Sequence, residues 1–225
     1  MRTIQAGAVL ALIAFWSGAG AACELPARSF IPFTPYAQQT SEWCWVASGQ
    51  ITMNSIRPNS VQRQCEAVSR VVRARGGGDV DCCKRNTPQK CRITNKAPPY
   101  AEYKFDFRST SGDVLVNVIR RALPWKEVKE QIHCEKKPFA FSRMFAPSYG
   151  SGHMMVAYGY EEKRGEKLVY FFDPLPSVPS ERPDQPDKTV DKKDRLDVLT
   201  YDEYLKDREH LHGQAFYDIS FRGSR

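Results

Sequence analysis

Gln38-Gln39-Thr40-Ser41-Glu42-Trp43-Cys44-Trp45-Val46-Ala47-Ser48 is the stretch on which the reading of this chain turns. A cysteine stands between two tryptophans, and Val46, Gly49, Met53 and Ile56 then recur at helical spacing until Pro58 stops the run. The pattern predicts a helix from Cys44 to Ile56, with Thr40 and Ser41 capping its free N–H groups. A thiol in the first turn feels the positive end of the helix dipole, which favours the nucleophilic thiolate. A glutamine just upstream, Gln38 or Gln39, can offer its side-chain amide to an oxyanion beside the Cys44 backbone N–H. The plain alternative is a small buried hydrophobe packed by two core tryptophans. Only a base elsewhere in the chain separates the two.

That base is sought in Gly150-Ser151-Gly152-His153-Met154-Met155-Val156-Ala157-Tyr158-Gly159-Tyr160, where a histidine opens an apolar, strand-like run. Leu168-Val169-Tyr170-Phe171-Phe172-Asp173-Pro174 follows, a second strand with a polar terminus. Strands over 154–161 and 167–173, joined by 162–166, form a hairpin. Antiparallel pairing then sets the start of the first strand against the end of the second, so His153 and Asp173 become neighbours.

Cys, His and Asp in this order resemble the papain-like cysteine peptidases, in particular their secreted bacterial branch, which carries Trp-Cys-Trp at the nucleophile. The plant enzymes differ in three respects: a Gly-Ser-Cys pattern at the nucleophile, Asn as third member, and a longer Cys-to-His separation. The resemblance covers residues 36–174. It implies an α+β, papain-like fold, with a helical lobe packed against a mainly antiparallel β-sheet lobe. It also implies Cys44 as nucleophile, His153 as acid and base, and Asp173 as its orienting partner. The glutamine-to-cysteine spacing of that family favours Gln38 over Gln39 as oxyanion donor. No cofactor or metal is implied.

At 225 residues the chain suits one sizeable domain. Met1-Arg2-Thr3, an apolar run over 6–16 and small residues up to Ala22 read as a secretory signal peptide over 1–22. The peptidase domain then occupies 23–225, with no large pro-domain expected. The apolar run is too short to span a bilayer, so no stable membrane insertion is expected. Cys23 after Gly-Ala-Ala offers a rival lipoprotein reading, which Gly20 three residues earlier disfavours.

Seven cysteines are present, at 23, 44, 65, 82, 83, 91 and 134. Setting Cys44 aside leaves an even set for three disulfides, the usual state of cysteines in an exported chain. Adjacent Cys82 and Cys83 are poorly placed to bond each other, so each is expected to reach one of Cys23, Cys65, Cys91 and Cys134. A zinc site at 65, 82, 83 and 91 lacks the paired Cys-x-x-Cys spacing. The net charge of +7 is spread among interleaved acids with no aromatic–basic platform, so no nucleic-acid partner is expected. A monomer acting on protein or peptide substrates, secreted or periplasmic, is the expected form.

Along the rest of the chain, residues 30–36 read as an extended, proline-punctuated surface segment that delivers Gln38. Ser60 caps a second helix through Val61, Cys65, Val68 and Val72, closed by Gly76-Gly77-Gly78. Residues 79–99 form a loop whose order depends on disulfides. Helices are expected over 113–123 and, opened by Pro124, over 125–132, with a strand from Pro138. Residues 174–195, rich in Pro, Asp and Lys, read as an exposed, mobile excursion. Thr200-Tyr201-Asp202-Glu203 is a capping box, and Ala215, Tyr217, Ile219 and Phe221 alternate as a last strand.

The functional expectation is an exported cysteine peptidase. Its rivals are another papain-fold amide-processing enzyme, such as a peptidoglycan amide hydrolase or transglutaminase, and a non-catalytic binding or toxin module. His133, His210 and His212 sit in no motif, and Ser48, Ser151 and Asn117 have no base placed by the sequence, which disfavours a serine mechanism.

Overall fold

The long strand β4 (Gly152–Lys163) is the spine of the structure, and both edges of it are used. On one edge β3 (Phe139–Phe145) pairs with its first half and β1 (Arg28–Phe30) with its second half. On the other, β5 (Glu166–Phe172) returns antiparallel through a two-residue turn, Arg164-Gly165, whose positive φ values of 52° and 85° suit a tight hairpin. The computed structural model describes residues 23–58, 63–93, 114–176, 180–191, 193 and 195–221. Among these the sheet is completed by β2 (Val114–Ile119), β6 (Leu196–Thr200) and β7 (His210–Phe221), in the order β2-β7-β3-β4-β5-β6, with antiparallel pairing throughout. The signal peptide over 1–22 and the Ser60 cap lie outside the described residues.

Helix α1 (Cys44–Ile56) lies on one face of this sheet. Its Ile51 packs with Val156, Tyr158 and Phe172, and its Val46 and Met53 with Ala140, Met154 and Phe216. Ser48 Oγ donates to the Met154 carbonyl at 3.1 Å, fixing the helix against the strand that carries His153. Helix α2 (Gln64–Ala74) packs beside α1 through Cys65, Val68, Val71 and Val72, and Gly76 at φ 76° ends it. On the opposite face sit the short helices α3 (Trp125–Lys129), which runs on as a π-turn to Cys134, and α4 (Tyr201–Leu205). They cover Phe139, Phe141, Met155, Ala157 and Phe171 with Val128, Ile132 and Tyr204. The Thr200–Glu203 capping box forms as the sequence predicts. This is the α+β, papain-like architecture expected, a helical lobe against a mainly antiparallel sheet.

Three disulfides form, Cys23–Cys134, Cys65–Cys83 and Cys82–Cys91, and Cys44 alone is free. The neighbours Cys82 and Cys83 therefore pull in opposite directions, one to the 3-10 turn at Cys91 and the other back to α2. All four candidates for a zinc site are consumed in these bonds. The Cys23 sulfur is likewise bonded, leaving none for a lipid thioether.

Several local expectations are corrected. No side chain caps α1: Trp43 is the N-cap, and the buried Thr40 hydroxyl has no partner. Residues 114–119 form a strand, not a helix. Val114, Val116, Val118 and Ile119 satisfy either period, and pairing with β7 decides between them. Residues 28–30 join the sheet, with Ile31 N donating to the Tyr158 carbonyl, so this segment is more than a surface crossing. Of the supposed mobile excursion, residues 180–190 dock as a strap across the segment before α1. Glu181 N and Ala37 N form backbone bonds to Gln39 O and Lys188 O, and Val190 N bonds Pro35 O. Arg63 Nη2 donates to the carbonyls of Pro183 and Gln185 at 2.8 and 2.6 Å. Asp187, partly buried and with its carboxyl raised by that burial, accepts from Gln50 Nε2 at 2.5 Å and Gln64 N at 3.2 Å.

Candidate active site

Cys44 is the first residue of α1, where the N–H groups of the opening turn have no acceptor within the helix. The tryptophans on either side are anchors. Trp43 is fully buried and its Nε1 donates to the Cys91 carbonyl at 3.0 Å, while Trp45 Nε1 donates to the Ile93 carbonyl at 3.3 Å. The Trp-Cys-Trp run thus grips the disulfide-bound segment and holds Cys44 between that segment and the sheet.

His153, near the start of β4, bonds to Asp173, the residue that follows β5, with 2.5 Å between Nε2 and Oδ1. The hairpin alone accounts for this meeting, as its register implies. Asp173 is itself fixed: its Oδ1 accepts from Leu175 N at 2.8 Å, and its own N–H donates to the Arg195 carbonyl at 3.2 Å. The imidazole also feels the Cys44 side chain, which lines the same cleft. With Nε2 committed to Asp173, Nδ1 is the ring nitrogen left for the sulfur. Burial works against a charged imidazole here. The bond that Nε2 donates to Asp173 and the nearby Cys44 sulfur, with the charges of both, outweigh it and raise His153 from 6.5 to about 10.

Gln38 is buried, its N–H donates to the Pro174 carbonyl at 2.8 Å, and its Nε2 donates to the Thr40 carbonyl at 2.8 Å. One N–H of that amide is left over. Gln39 is turned the other way, its Nε2 donating to the Gln185 carbonyl of the strap at 3.0 Å. The structure thus brings Cys44, His153 and Asp173 together, sets Gln38 against the Asp173–Pro174 turn, and commits Gln39 elsewhere.

A cleft of about 510 Å³ opens at this point, and Cys44, His153 and Asp173 line it. Its other walls are residues the sequence did not single out: Glu42, Arg143, Phe145, Asp197 and His210 among them. Arg143 is the cross-strand partner of His153, and His210 reaches the cleft because β7 pairs with β3. Only Glu42, two residues before Cys44, had a local signal. His133 stays remote, bonded to Ser29. His212 is stacked on Phe141 in the core, where burial lowers it to about 4.

A helix-tip thiol facing a strand-borne imidazole on an α+β frame of this kind defines the papain-like class. Residues 30–195 match the Peptidase_C39 like family, and the chain belongs to that family. Such membership implies cysteine-type peptidase activity on protein or peptide substrates. No curated protein matches the chain. Three disulfides suit a compartment outside the cytoplasm, and no helix among the described residues is long and apolar enough to cross a membrane.

Proposed function

We propose that this protein is an exported cysteine peptidase, carried out by a signal peptide over 1–22 and working through Cys44, His153 and Asp173. The observation that carries the reading is the chain's one free thiol, at a helix tip, lining one cleft with an imidazole that a carboxylate braces. The Cys44 thiolate attacks the scissile carbonyl carbon, forming the C–S bond, and the oxygen takes up the electron pair. The Cys44 backbone N–H and the remaining Gln38 amide N–H receive that oxyanion. As the tetrahedral species collapses, the C–N bond breaks and the His153 Nδ1 proton passes to the departing amine. The resulting thioester is hydrolysed by a water that His153 deprotonates, which restores the free thiol. Asp173 keeps the ring in the tautomer and orientation that aim Nδ1 at the sulfur.

Incubation of the mature protein with a diverse peptide library, and separately with peptidoglycan, tests the reading. Cleavage at internal peptide bonds of the library is the expected result, and release of material only from peptidoglycan would replace it. Asp173→Asn should lower kcat by about 10²–10⁴-fold, because a neutral amide can neither fix the productive tautomer nor stabilise the imidazolium. A variant within about threefold of wild type would remove Asp173 from the mechanism.

The ionisation of His153 gives a pH expectation. Its folded value of about 10 lies above the ordinary 6.5, so the proton the leaving amine needs is held through neutral pH. Hydrolysis should therefore decline on an alkaline limb near pH 10, and Asp173→Asn should move that limb downward. The same raised value is linked to stability. The contribution of the charged imidazole is complete below pH 6.5 and is lost as pH rises through about 10. A rate profile falling already between pH 6 and 7 would contradict the assignment.

A further inference from the structure

Resting on the peptidase reading above, in which the Gln38 amide receives the oxyanion, we infer that Gln64 is the positioning residue of that donor. Gln64 opens α2 and is fully buried. Its side chain reaches the segment before α1 and takes hold of both neighbours of Gln38. Nε2 donates to the Ala37 carbonyl at 2.8 Å, and Oε1 accepts from Gln39 N at 3.0 Å. These are the two peptide groups that flank the Gln38 α-carbon. Holding both planes fixes the two soft dihedrals between them, and with them the direction in which the Gln38 side chain leaves the main chain.

The grip has one orientation. Gln64 Nε2 also donates to Gln50 Oε1 at 3.0 Å, so a reversed amide would set its oxygen against two acceptors and its N–H groups against a donor. Gln50 is held in turn, since its Nε2 donates to Asp187 of the strap, and the same carboxylate accepts from Gln64 N. The Cys65–Cys83 disulfide anchors the start of α2 one residue on. A third bond, from Gln38 N to the Pro174 carbonyl at 2.8 Å, ties the same residue to the turn after Asp173. An apolar side chain of equal size would fill the place of Gln64 but leave the Ala37 carbonyl and the Gln39 N–H short of these partners. Gln64 does not line the cleft, so its effect on the reaction passes through Gln38. Aim is what such a donor contributes, and a misplacement of about 1 Å can cost about a hundredfold in rate.

Gln64→Met, Gln38→Ala and the double variant, assayed on one peptide that the wild type cleaves, test this. Gln38→Ala should lower kcat by about 10²–10³-fold. Gln64→Met should lower kcat by about ten- to a hundredfold with KM within about threefold, because the loss falls on the transition state. Added to Gln38→Ala it should cost less than about threefold, since the donor it aims is gone. Methyl methanethiosulfonate reads the sulfur alone: Cys44 forms a mixed disulfide and sulfinate leaves, with no carbonyl oxyanion. Its rate should be the same in wild type and Gln64→Met. Gln64→Asn keeps the amide but is one methylene too short to reach both partners, and it should repeat the pattern if Gln64→Met does not fold. A folded variant with kcat within about threefold of wild type would overturn the inference. So would a full loss repeated on Gln38→Ala, a matching fall in the methanethiosulfonate rate, or failure of both variants to fold. A harmless Gln38→Ala would overturn it too, and would leave Cys44 and His153 standing as a peptidase. No peptide hydrolysis by the wild type would end the peptidase reading and this inference with it.

Discussion

Cys44→Ala should yield a folded protein with peptide hydrolysis reduced by at least about 10⁴-fold. The expectation has two halves, and each rests on an observation. Cys44 belongs to no disulfide and is 5% exposed, so the substitution removes one sulfur at the tip of α1 and costs about 1 kcal/mol. The hydrogen bonds that hold the tip, from Trp43 to Cys91 and from Ser48 to Met154, stay in place. Chemistry has no such reserve. No other thiol is free, since the remaining six are bonded in pairs, and no serine is hydrogen-bonded to His153 among the described residues. Unchanged circular dichroism and thermal unfolding, with hydrolysis lost, is the result expected. Cleavage at the wild-type rate by a verified Cys44→Ala preparation would mean that the nucleophile lies elsewhere.

Trp43→Ala is expected to do the opposite, undermining the fold around a nucleophile it leaves chemically intact. Trp43 is fully buried in the cluster that joins α1, α2 and the segment from Cys82 to Cys91. Emptying that volume should cost about 3–5 kcal/mol. It also leaves the Cys91 carbonyl without the indole N–H that it accepts at 3.0 Å. For a chain of this length the midpoint of thermal unfolding should fall by about 10 °C or more. Trp43→Phe keeps most of the packing and loses the hydrogen bond, so it should fall between wild type and Trp43→Ala. A Trp43→Ala midpoint within about 2 °C of wild type would show that the tryptophan does not hold the tip.

The parts legible in the sequence are those whose cause is local. The periodicity from Val46 to Ile56 is carried by one helix, and the hairpin that joins His153 to Asp173 depends on two adjacent strands and a Gly-containing turn. Cysteine parity was equally readable, because it depends on a count and a compartment. What could not be read depends on distant pairing. Residues 114–119 offered apolar positions to a helix or a strand alike, and β7, nearly a hundred residues away, chose. Arg143 and His210 enter the cleft by the same route. The strap was hidden for another reason. It docks through main-chain carbonyls of Pro183, Gln185 and Lys188 and through one carboxylate, so its polar, proline-rich composition carries no mark of attachment.

That attachment matters to anyone altering the protein. By composition, residues 180–190 invite an epitope tag, a protease site or a trimmed gene. Yet Gln39 is moored to this run by side chain and backbone, and Gln38 next to it is the residue proposed above as the oxyanion donor. Splicing there would leave the nucleophile untouched and unsettle the ground under its neighbour, so the dullest-looking part of the chain is a poor place to cut.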